Sequence, residues 1–489
     1  MESSENVLAI DLGASSGRVT LASFDGETIK LQEIHRFSNE PVWVNGTLYW
    51  DILRLFHEIK RGIALAAKQA DIKTIGIDTW GCDFALIDEF GRMIEMPVHY
   101  RDLRTKDYQK LFERIDKSEI YETTGTQFLQ INTIYHLNYI AQNRADDLNR
   151  AQNFMMIPDL LNYFLTGTIK NEYTNATNAQ LLDARKREWS TNLLGKLGIR
   201  KDIFSKISMP GTPCGKLLPE IVAETKASQA EVICVASHDT GSAVVSIPTQ
   251  DENVAFLSSG TWSLIGTELS EPCTNEKAHR HNFTNEGGAD GNIRFLKNIM
   301  GTWLIQEARQ QWARDGQEYS FEELEKMAME SEGESCFIDV DNPIFLSGGD
   351  IPAKIKKYCE NTGQNISQEP GAIIRAINEN LAFKYRYAIE ELEICTNKKF
   401  NALHIVGGGV QSEMLCQMTA NAVGIPVYAG PVEATVLGNA AIQMISIGAL
   451  ESIPHARAVI AKTMPIKKYK QLENWERRYQ EFKKQCCNI

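Results

Sequence analysis

The chain has 489 residues, 43% of them hydrophobic and 23% charged, with a formal net charge of −12. That length suggests two to four domains, and two large ones is the arrangement to test. The acidity argues against a nucleic-acid partner, because a phosphate backbone needs a cationic footprint.

The start, MESSENVLAIDLG, has no positive segment before its apolar run and no small-residue cleavage site. No stretch reaches the ~18 uninterrupted apolar residues of a membrane span, so a cytoplasmic protein with no membrane partner is expected. Ten cysteines are scattered, several inside apolar runs such as Val232-Ile233-Cys234-Val235, the pattern of reduced core thiols.

Val7-Leu8-Ala9-Ile10 reads as a buried strand, Asp11-Leu12-Gly13-Ala14-Ser15-Ser16-Gly17 as a turn and residues 18–24 as a second strand. Asp11 ends the first strand facing the turn. Such a turn can aim backbone N–H groups at phosphate oxygens, although a plain hairpin turn has the same composition. Residues 52–67 are amphipathic, residues 75–78 read as a strand, and Ile77-Asp78-Thr79-Trp80-Gly81-Cys82-Asp83-Phe84 interleaves carboxylates, an indole and a glycine. Sugar sites use this mixture: carboxylates for hydroxyl pairs, an aromatic wall for C–H faces, glycine for access. A half-buried strand with a bulge is the alternative.

Helices are expected around residues 131–143 and 159–165, giving α/β patterning. Val235-Ala236-Ser237-His238-Asp239-Thr240-Gly241-Ser242-Ala243 places an ionisable pair after an apolar strand and before a small-residue helix start. A catalytic base belongs there in an α/β fold, and an Asp N-cap is the alternative. Ile247-Pro248-Thr249-Gln250-Asp251 breaks the pattern and marks a junction near residues 243–250.

The hairpin design then returns. Residues 254–257 are strand-like, Ser258-Ser259-Gly260-Thr261 is a small-residue turn and residues 262–269 resume a strand, which suggests two related halves. A long helix follows at 372–395, then a strand at 402–406, the triplet Gly407-Gly408-Gly409, a helix from about Ser412 and a strand at 425–428. The triplet lets a ligand approach the backbone at a helix N-terminus. A dinucleotide loop would want GxGxxG, but position 412 is Ser, and nothing matches the Walker sequence GxxxxGK[ST].

These pieces, in this order, resemble the FGGY carbohydrate kinases over nearly the whole chain. Pro158-Asp159 through Gly167 and Glu172-Tyr173-Thr174-Asn175-Ala176-Thr177 are similar to the family's central signature, and residues 406–427 with Leu437-Gly438-Asn439-Ala440-Ala441 to its adenosine-binding signature. DLGASSGRV, IDTWGCDF, ASHDTGSAV with SSGTWSL, and NFTNEGGADG running into RFLKNIMGTWLIQE resemble the members that act on L-rhamnulose.

The resemblance implies an α/β fold of two actin-like, ribonuclease-H-type domains with a cleft between them. It divides the chain into 1–245, bearing sugar contacts, the first phosphate turn and the base at its end, and 246–489, bearing the second phosphate turn and the adenosine site. It implies ATP as phosphoryl donor, Mg²⁺ as cofactor, phosphorylation of L-rhamnulose at O1, and a monomer or small homo-oligomer. ATP contacts would be Ala14, Ser15, Ser16, Gly17, Arg18, Thr261, Gln306 and Gly408. Sugar contacts would be Gly81, His238, Asp239, Thr240 and Asn298, with Asp239 the general base and Asp11 holding Mg²⁺ through water. Arg101-Asp102 resembles a sugar-binding pair of other members. The other readings are a kinase for L-fuculose or D-xylulose, an actin-like ATPase, and a sugar sensor without catalysis.

Overall fold

The computed structural model describes residues 4–331, 336–346 and 348–487. The chain forms two compact units: one is built from the chain up to Gln250, Glu268–Phe295 and Ala434–Met464, the other from Asp251–Thr267, Leu296–Glu433 and the chain from Pro465. The compact units are therefore not the contiguous segments 1–245 and 246–489. Burial decides this, since the helix Ala434–Ser446 packs Leu437, Ala440, Ala441 and Met444 against Val7, Ala22, Val235 and Val245 in a core of the first unit. That helix is apolar on too many sides to lie against solvent.

The first unit's main sheet uses β1 (Glu5–Leu12), β2 (Ser16–Phe24), β3 (Ile29–Ser38), β4 (Thr74–Thr79), β5 (Pro213–Lys216) and β6 (Glu231–Ile233), in the spatial order β3-β2-β1-β4-β6-β5. β1 and β2 form the expected hairpin, β4 runs parallel to β1, β6 parallel to β4, and β5 closes the edge antiparallel. β4 is buried at every position, as a central parallel strand covered on both faces must be. The amphipathic run folds as the helix Ile52–Ala66, started by the Asp51 carboxylate, which accepts from Arg54 N at 3.1 Å. Its Ile52, Leu55, Ile59 and Ile63 are buried at helical spacing, and Gly62 lets the helix settle on Val19, whose Cγ2 lies 2.4 Å from where a Cβ would be.

The second unit contains β7 (Val254–Ser259), β8 (Trp262–Leu269), β9 (Ala402–Val406), β10 (Val427–Ala429) and β11 (Lys467–Tyr469). They lie in the order β8-β7-β9-β10-β11, with β7 and β8 an antiparallel hairpin, β9 and β10 parallel to β7 in turn, and β11 antiparallel at the edge. This is the order β2-β1-β4-β6-β5 again. The repetition suggested by the two hairpin turns extends to five strands.

The helix Ala434–Ser446 passes the helix Asp239–Val245 so closely that a Cβ on Gly438 would lie 1.7 Å from the carbonyl oxygen of Ser242. A backbone atom cannot rotate away, so Gly438→Ala should lower stability by about 1–3 kcal/mol, read from the urea midpoint. Gly195, inside the helix Thr191–Leu197, would meet nothing within 4 Å. Gly195→Ala should raise the same midpoint by the equivalent of about 0.5–1 kcal/mol.

Candidate active site

The β1–β2 register sets Asp11 opposite Arg18 and Leu12 opposite Gly17, leaving Gly13, Ala14 and Ser15 as the tip of a tight turn. Asn39 braces that tip from behind: its N–H donates to Ser15 O at 3.0 Å and its Nδ2 to Gly13 O at 2.8 Å. Ser15 is exposed, Ala14 and Ser16 half-buried. Gly17 is required because Phe37 lies across it, 2.4 Å from a hypothetical Cβ. Arg18 donates through Nε and NH2 to Asp11 Oδ2, at 2.9 and 2.7 Å. The residue expected at ATP and the carboxylate expected at Mg²⁺ are thus partners in one ion pair.

The parallel pairing of β1 with β4 puts Asp78 directly beside Asp11. Asp78 is wholly buried, its Oδ2 accepts from Asn439 Nδ2 at 2.5 Å, and its Oδ1 has no partner. Burial and then the neighbouring Asp11 charge hold its carboxyl well above the usual carboxylate range, against the Asn439 hydrogen bond. Thr79 N donates to Ser237 O at 2.9 Å and Thr79 bridges His238, which extends the sheet past β6 and carries Asp239 to the same edge.

Asp239 is the first residue of the helix Asp239–Val245, and His238 takes the cap position without a side-chain cap bond. Asp239 Oδ1 accepts from Thr240 N at 2.5 Å and from Thr240 Oγ1 at 3.2 Å. Thr240 therefore serves its neighbour's carboxylate. A third of the Asp239 side chain is exposed, yet its setting disfavours charge: burial pushes the carboxyl up, His238 opposes that, and Asp11 adds to it. His238 Nε2 lies 3.4 Å from Asp239 Oδ1.

A buried carboxylate holds this loop in place. Glu172 accepts from Thr174 N at 2.8 Å, Thr174 Oγ1 at 2.7 Å, Asn175 N at 3.1 Å and Ser237 N at 3.2 Å, and also from Ser237 Oγ. His238 N donates to Thr174 Oγ1 at 3.2 Å, and Asn175 Nδ2 reaches the carbonyls of Trp80 and Ser237, both at 3.3 Å. Gly81 follows on the Trp80 side, where a Cβ would come 3.0 Å from Asn178 Cγ.

Two expectations for the neighbouring residues need correction. Asp83 Oδ2 accepts from the indole N–H groups of Trp50 at 2.5 Å and Trp80 at 2.8 Å, and from Tyr100 N at 3.3 Å. Burial raises this carboxyl to about 7. Trp80 is only 5% exposed and its ring sits 4.0 Å from that of Trp50, so the motif packs an aromatic core around a carboxylate and does not present an open wall. Asp102 is equally committed: its oxygens accept from Leu48 N at 2.8 Å and Arg104 N at 2.9 Å, and it caps the short helix Leu103–Thr105.

In the second unit, Thr261 lies in the β7–β8 turn and Gln306 in the helix Trp303–Arg314. Trp303 N donates to Thr261 O at 3.3 Å, while Thr302 donates to Gly260 O through N at 3.0 Å and Oγ1 at 2.9 Å. Gln306 Nε2 in turn donates to Thr302 Oγ1 at 3.3 Å. The turn thus docks the helix that carries Gln306. The glycine triplet divides its work: Gly407 has φ of 87°, Gly409 lies under Ser259 with Oγ 2.0 Å from a hypothetical Cβ, and Gly408 would meet nothing within 4 Å. The following helix begins at Glu413, with Ser412 accepting from Leu415 N at 3.1 Å. Asn298 is half-buried on the strand Ile293–Met300.

The motifs did not single out Asn178, Glu286, Arg294 or the site role of Asp78. Asp78 could have been found from its matching place after an apolar strand, since Ala9-Ile10-Asp11 and Gly76-Ile77-Asp78 share register. Among the described residues no group of three or more His, Cys, Asp and Glu side chains could hold a metal, and no helix is long and apolar enough to cross a membrane. A cation held through water needs fewer protein ligands, and the unpartnered oxygen of Asp78 beside Asp11 suits an oxygen-seeking ion such as Mg²⁺.

Residues 6–246 match the N-terminal domain of the FGGY family of carbohydrate kinases and residues 255–447 its C-terminal domain. The chain is 40% identical over 483 residues to a rhamnulokinase of Bacteroides thetaiotaomicron, covering 98% of this chain and 99% of that one. It is 42% identical over 472 residues to a rhamnulokinase of Mannheimia succiniciproducens, covering 95% of each. Among solved structures, gluconate kinase from Lactobacillus acidophilus superposes with a TM-score of 0.79 at 18% identity, over 98% of this chain and 96% of that one. Glycerol kinase of Plasmodium falciparum with ADP gives 0.77 at 16% identity, over 98% and 96%. The fold is the two-domain, actin-like α/β fold of these sugar kinases, and the chain belongs to the FGGY family of carbohydrate kinases.

Proposed function

We propose that the protein transfers the γ-phosphoryl group of ATP to O1 of L-rhamnulose, in the cytoplasm, with Asp239 as general base. The observation that carries this reading is the setting of Asp239: one oxygen is tied to Thr240, a third of the side chain is open, and the group lies beside His238 at the edge that also bears Asp11. A carboxylate so placed can accept the proton that a sugar hydroxyl sheds as its oxygen bonds to phosphorus. Its raised pKa strengthens it as a base. The names of the similar proteins supply the choice of ketose.

Ala14, Ser15, Ser16, Gly17 and Arg18 would hold the nucleotide phosphates, joined by Thr261, Gln306 and Gly408. Gly81, His238, Thr240 and Asn298 would orient the ketose, Thr240 acting through the Asp239 carboxylate. Asp11 would hold Mg²⁺ through water, releasing part of its grip on Arg18 so that the guanidinium can meet phosphate. Bound there, Mg²⁺ would neutralise charge on the transferring phosphoryl group. We place the sugar contacts other than Asn298, the first phosphate turn and the base in residues 1–245, and the second turn and adenosine contacts in 246–489.

Asp239→Asn keeps the shape and the Thr240 bonds but cannot take a proton, so kcat should fall ~10²–10⁴-fold, roughly 3–5 kcal/mol of barrier, with the melting temperature little changed. In the parent, kcat/KM should decline as pH falls through the pKa of Asp239, at a midpoint above the ordinary aspartate value near 4. A kcat within a few-fold of the parent would eliminate Asp239 as the base.

Among L-rhamnulose, L-fuculose, D-xylulose and glycerol, kcat/KM should be highest for L-rhamnulose and at least roughly 10²-fold above glycerol, because a site that hydrogen-bonds particular hydroxyls penalises their absence. Turnover of D-xylulose at an equal rate would remove the assigned ketose and leave the kinase. The chosen ketose should also be required for ATP turnover, which an actin-like ATPase would not show.

Gly408 has room for a side chain and ordinary backbone angles, whereas Gly409 does not have the room. Gly408→Val should leave the melting temperature near that of the parent and raise the KM for ATP about tenfold or more, with ketose KM unmoved. Gly409→Ala should instead lower stability by about 1–3 kcal/mol through the clash with Ser259. Loss of stability with unchanged ATP affinity in Gly408→Val would show the triplet to be structural.

A further inference from the structure

The mechanism above leaves one buried charge pair in the first unit without a task. Arg294 and Glu286 lie on the strands Ile293–Met300 and Thr284–Gly287, with side chains 0% and 2% exposed. Arg294 NH1 is 3.0 Å from Glu286 Oε2, Arg294 Nε donates to Gly287 O at 2.9 Å, and NH2 points at His238 Nδ1, 3.3 Å away. Desolvating such a pair costs so much that apolar residues of the same volume often stabilise a fold as well or better. The third arm of the guanidinium, aimed at a residue of the site, supplies a reason for the pair.

That arm is not alone. Asn178 Nδ2 lies 3.2 Å from the same His238 Nδ1, and its amide orientation is set by a second donation to Thr174 O at 3.2 Å. Neither a guanidinium nitrogen nor an amide nitrogen can accept, so Nδ1 must offer its lone pair to both. Glu286 Oε2 is 3.1 Å from Nδ1 but makes no hydrogen bond, and its charge is met by Arg294. The ring proton is left on Nε2, which faces Asp239 Oδ1 at 3.4 Å.

We propose that the Arg294–Glu286 pair, with Asn178, is a positioning element that fixes His238 as the neutral Nε2–H tautomer and delivers that single N–H to Asp239 and the sugar oxygen beside it. This rests on the reading of Asp239 as base and His238 as a sugar contact. A neutral donor orients the base without the full opposing charge that would weaken it, and Arg is needed because its planar fork spans Glu286, a backbone carbonyl and the imidazole together. Although burial works against the charge on Glu286, the Arg294 guanidinium beside it holds its carboxyl below the usual range, so the pair remains ionised.

The test is Arg294→Lys, which keeps a cation for Glu286 and removes the fork. Long-range ¹H–¹⁵N spectra of protein labelled with ¹⁵N-histidine report the tautomer, and the His238 signals are identified by their loss in His238→Gln. The parent should show the Nε2–H pattern at neutral pH. Arg294→Lys should shift it towards a mixture and raise the ketose KM about tenfold, the loss expected for one hydrogen bond, while ATP KM stays within about twofold. An Nδ1–H tautomer or an imidazolium in the parent would overturn the proposal, as would an unchanged tautomer in folded Arg294→Lys. A shifted tautomer with unmoved ketose KM would uphold the positioning and count against His238 as a sugar contact. If Arg294→Lys does not fold, Asn178→Asp exchanges the second donor for an acceptor and should draw the proton to Nδ1; retention of Nε2–H there would equally overturn the proposal.

Discussion

The Glu172 carboxylate is the constraint on which the first unit's site depends. It is fully buried, which disfavours its charge, and it is compensated by donors from Thr174, Asn175 and Ser237. Those donors belong to separate stretches of chain: Ser237 immediately precedes His238, and the Thr174–Asn178 stretch supplies both the Thr174 hydroxyl under His238 N and the Asn178 amide at its ring. One buried acceptor therefore sets the backbone at Ser237 and His238 and the partners of that histidine. An apolar residue of the same size would leave several N–H groups without acceptors, each costing about 1–3 kcal/mol.

Charge around the site is arranged by register. Parallel pairing of β1 and β4 forces Asp11 and Asp78 together, and the Thr79–His238 bridge brings Asp239 to the same edge. Carboxylates so close cannot all ionise freely, and the fold meets this in different ways. Asp11 is given Arg18, Asp78 is buried against Asn439 with its charge disfavoured, and Asp239 keeps an open face beside His238. These environments give three chemically identical side chains three different settings: ion-paired, buried, and partly open beside an imidazole.

The repeated strand order of the two units explains why both hairpin turns look alike. In each, a hairpin leads the sheet and its turn is braced from behind: by Asn39 on the Gly13–Ser15 tip, and by Thr302 on Gly260. The decoration then differs. The first unit ends its parallel strands in carboxylates, whereas the second ends β9 in a glycine triplet whose middle member is left open. The same scaffold thus carries carboxylates in one unit and an open glycine in the other.

Much of this was legible in the sequence. Alternation of apolar runs with helical stretches gave the α/β class, the turn composition gave both hairpins, and the long helix Pro370–Thr396 and strand Ala402–Val406 lie where periodicity placed them. The positions of Asp11, His238 and Asp239 followed from carboxylates and imidazole at strand ends, because strand ends are where such groups can be both ordered and accessible. Tertiary structure alone decided which polar groups were spoken for. Asp83 and Asp102 have the composition of a sugar site, yet Trp50, from a distant stretch of chain, joins the neighbouring Trp80 on one oxygen of Asp83, and the distant Leu48 engages an oxygen of Asp102. Arg294 and Glu286 lie more than forty residues beyond His238, so no local spacing could announce that they face its ring. Likewise, only packing shows that Ala434–Ser446 belongs to the first unit's core. Sequence patterns report what a residue can do, whereas burial and hydrogen-bond partners, which are set by contacts distant in the chain, decide what it is free to do.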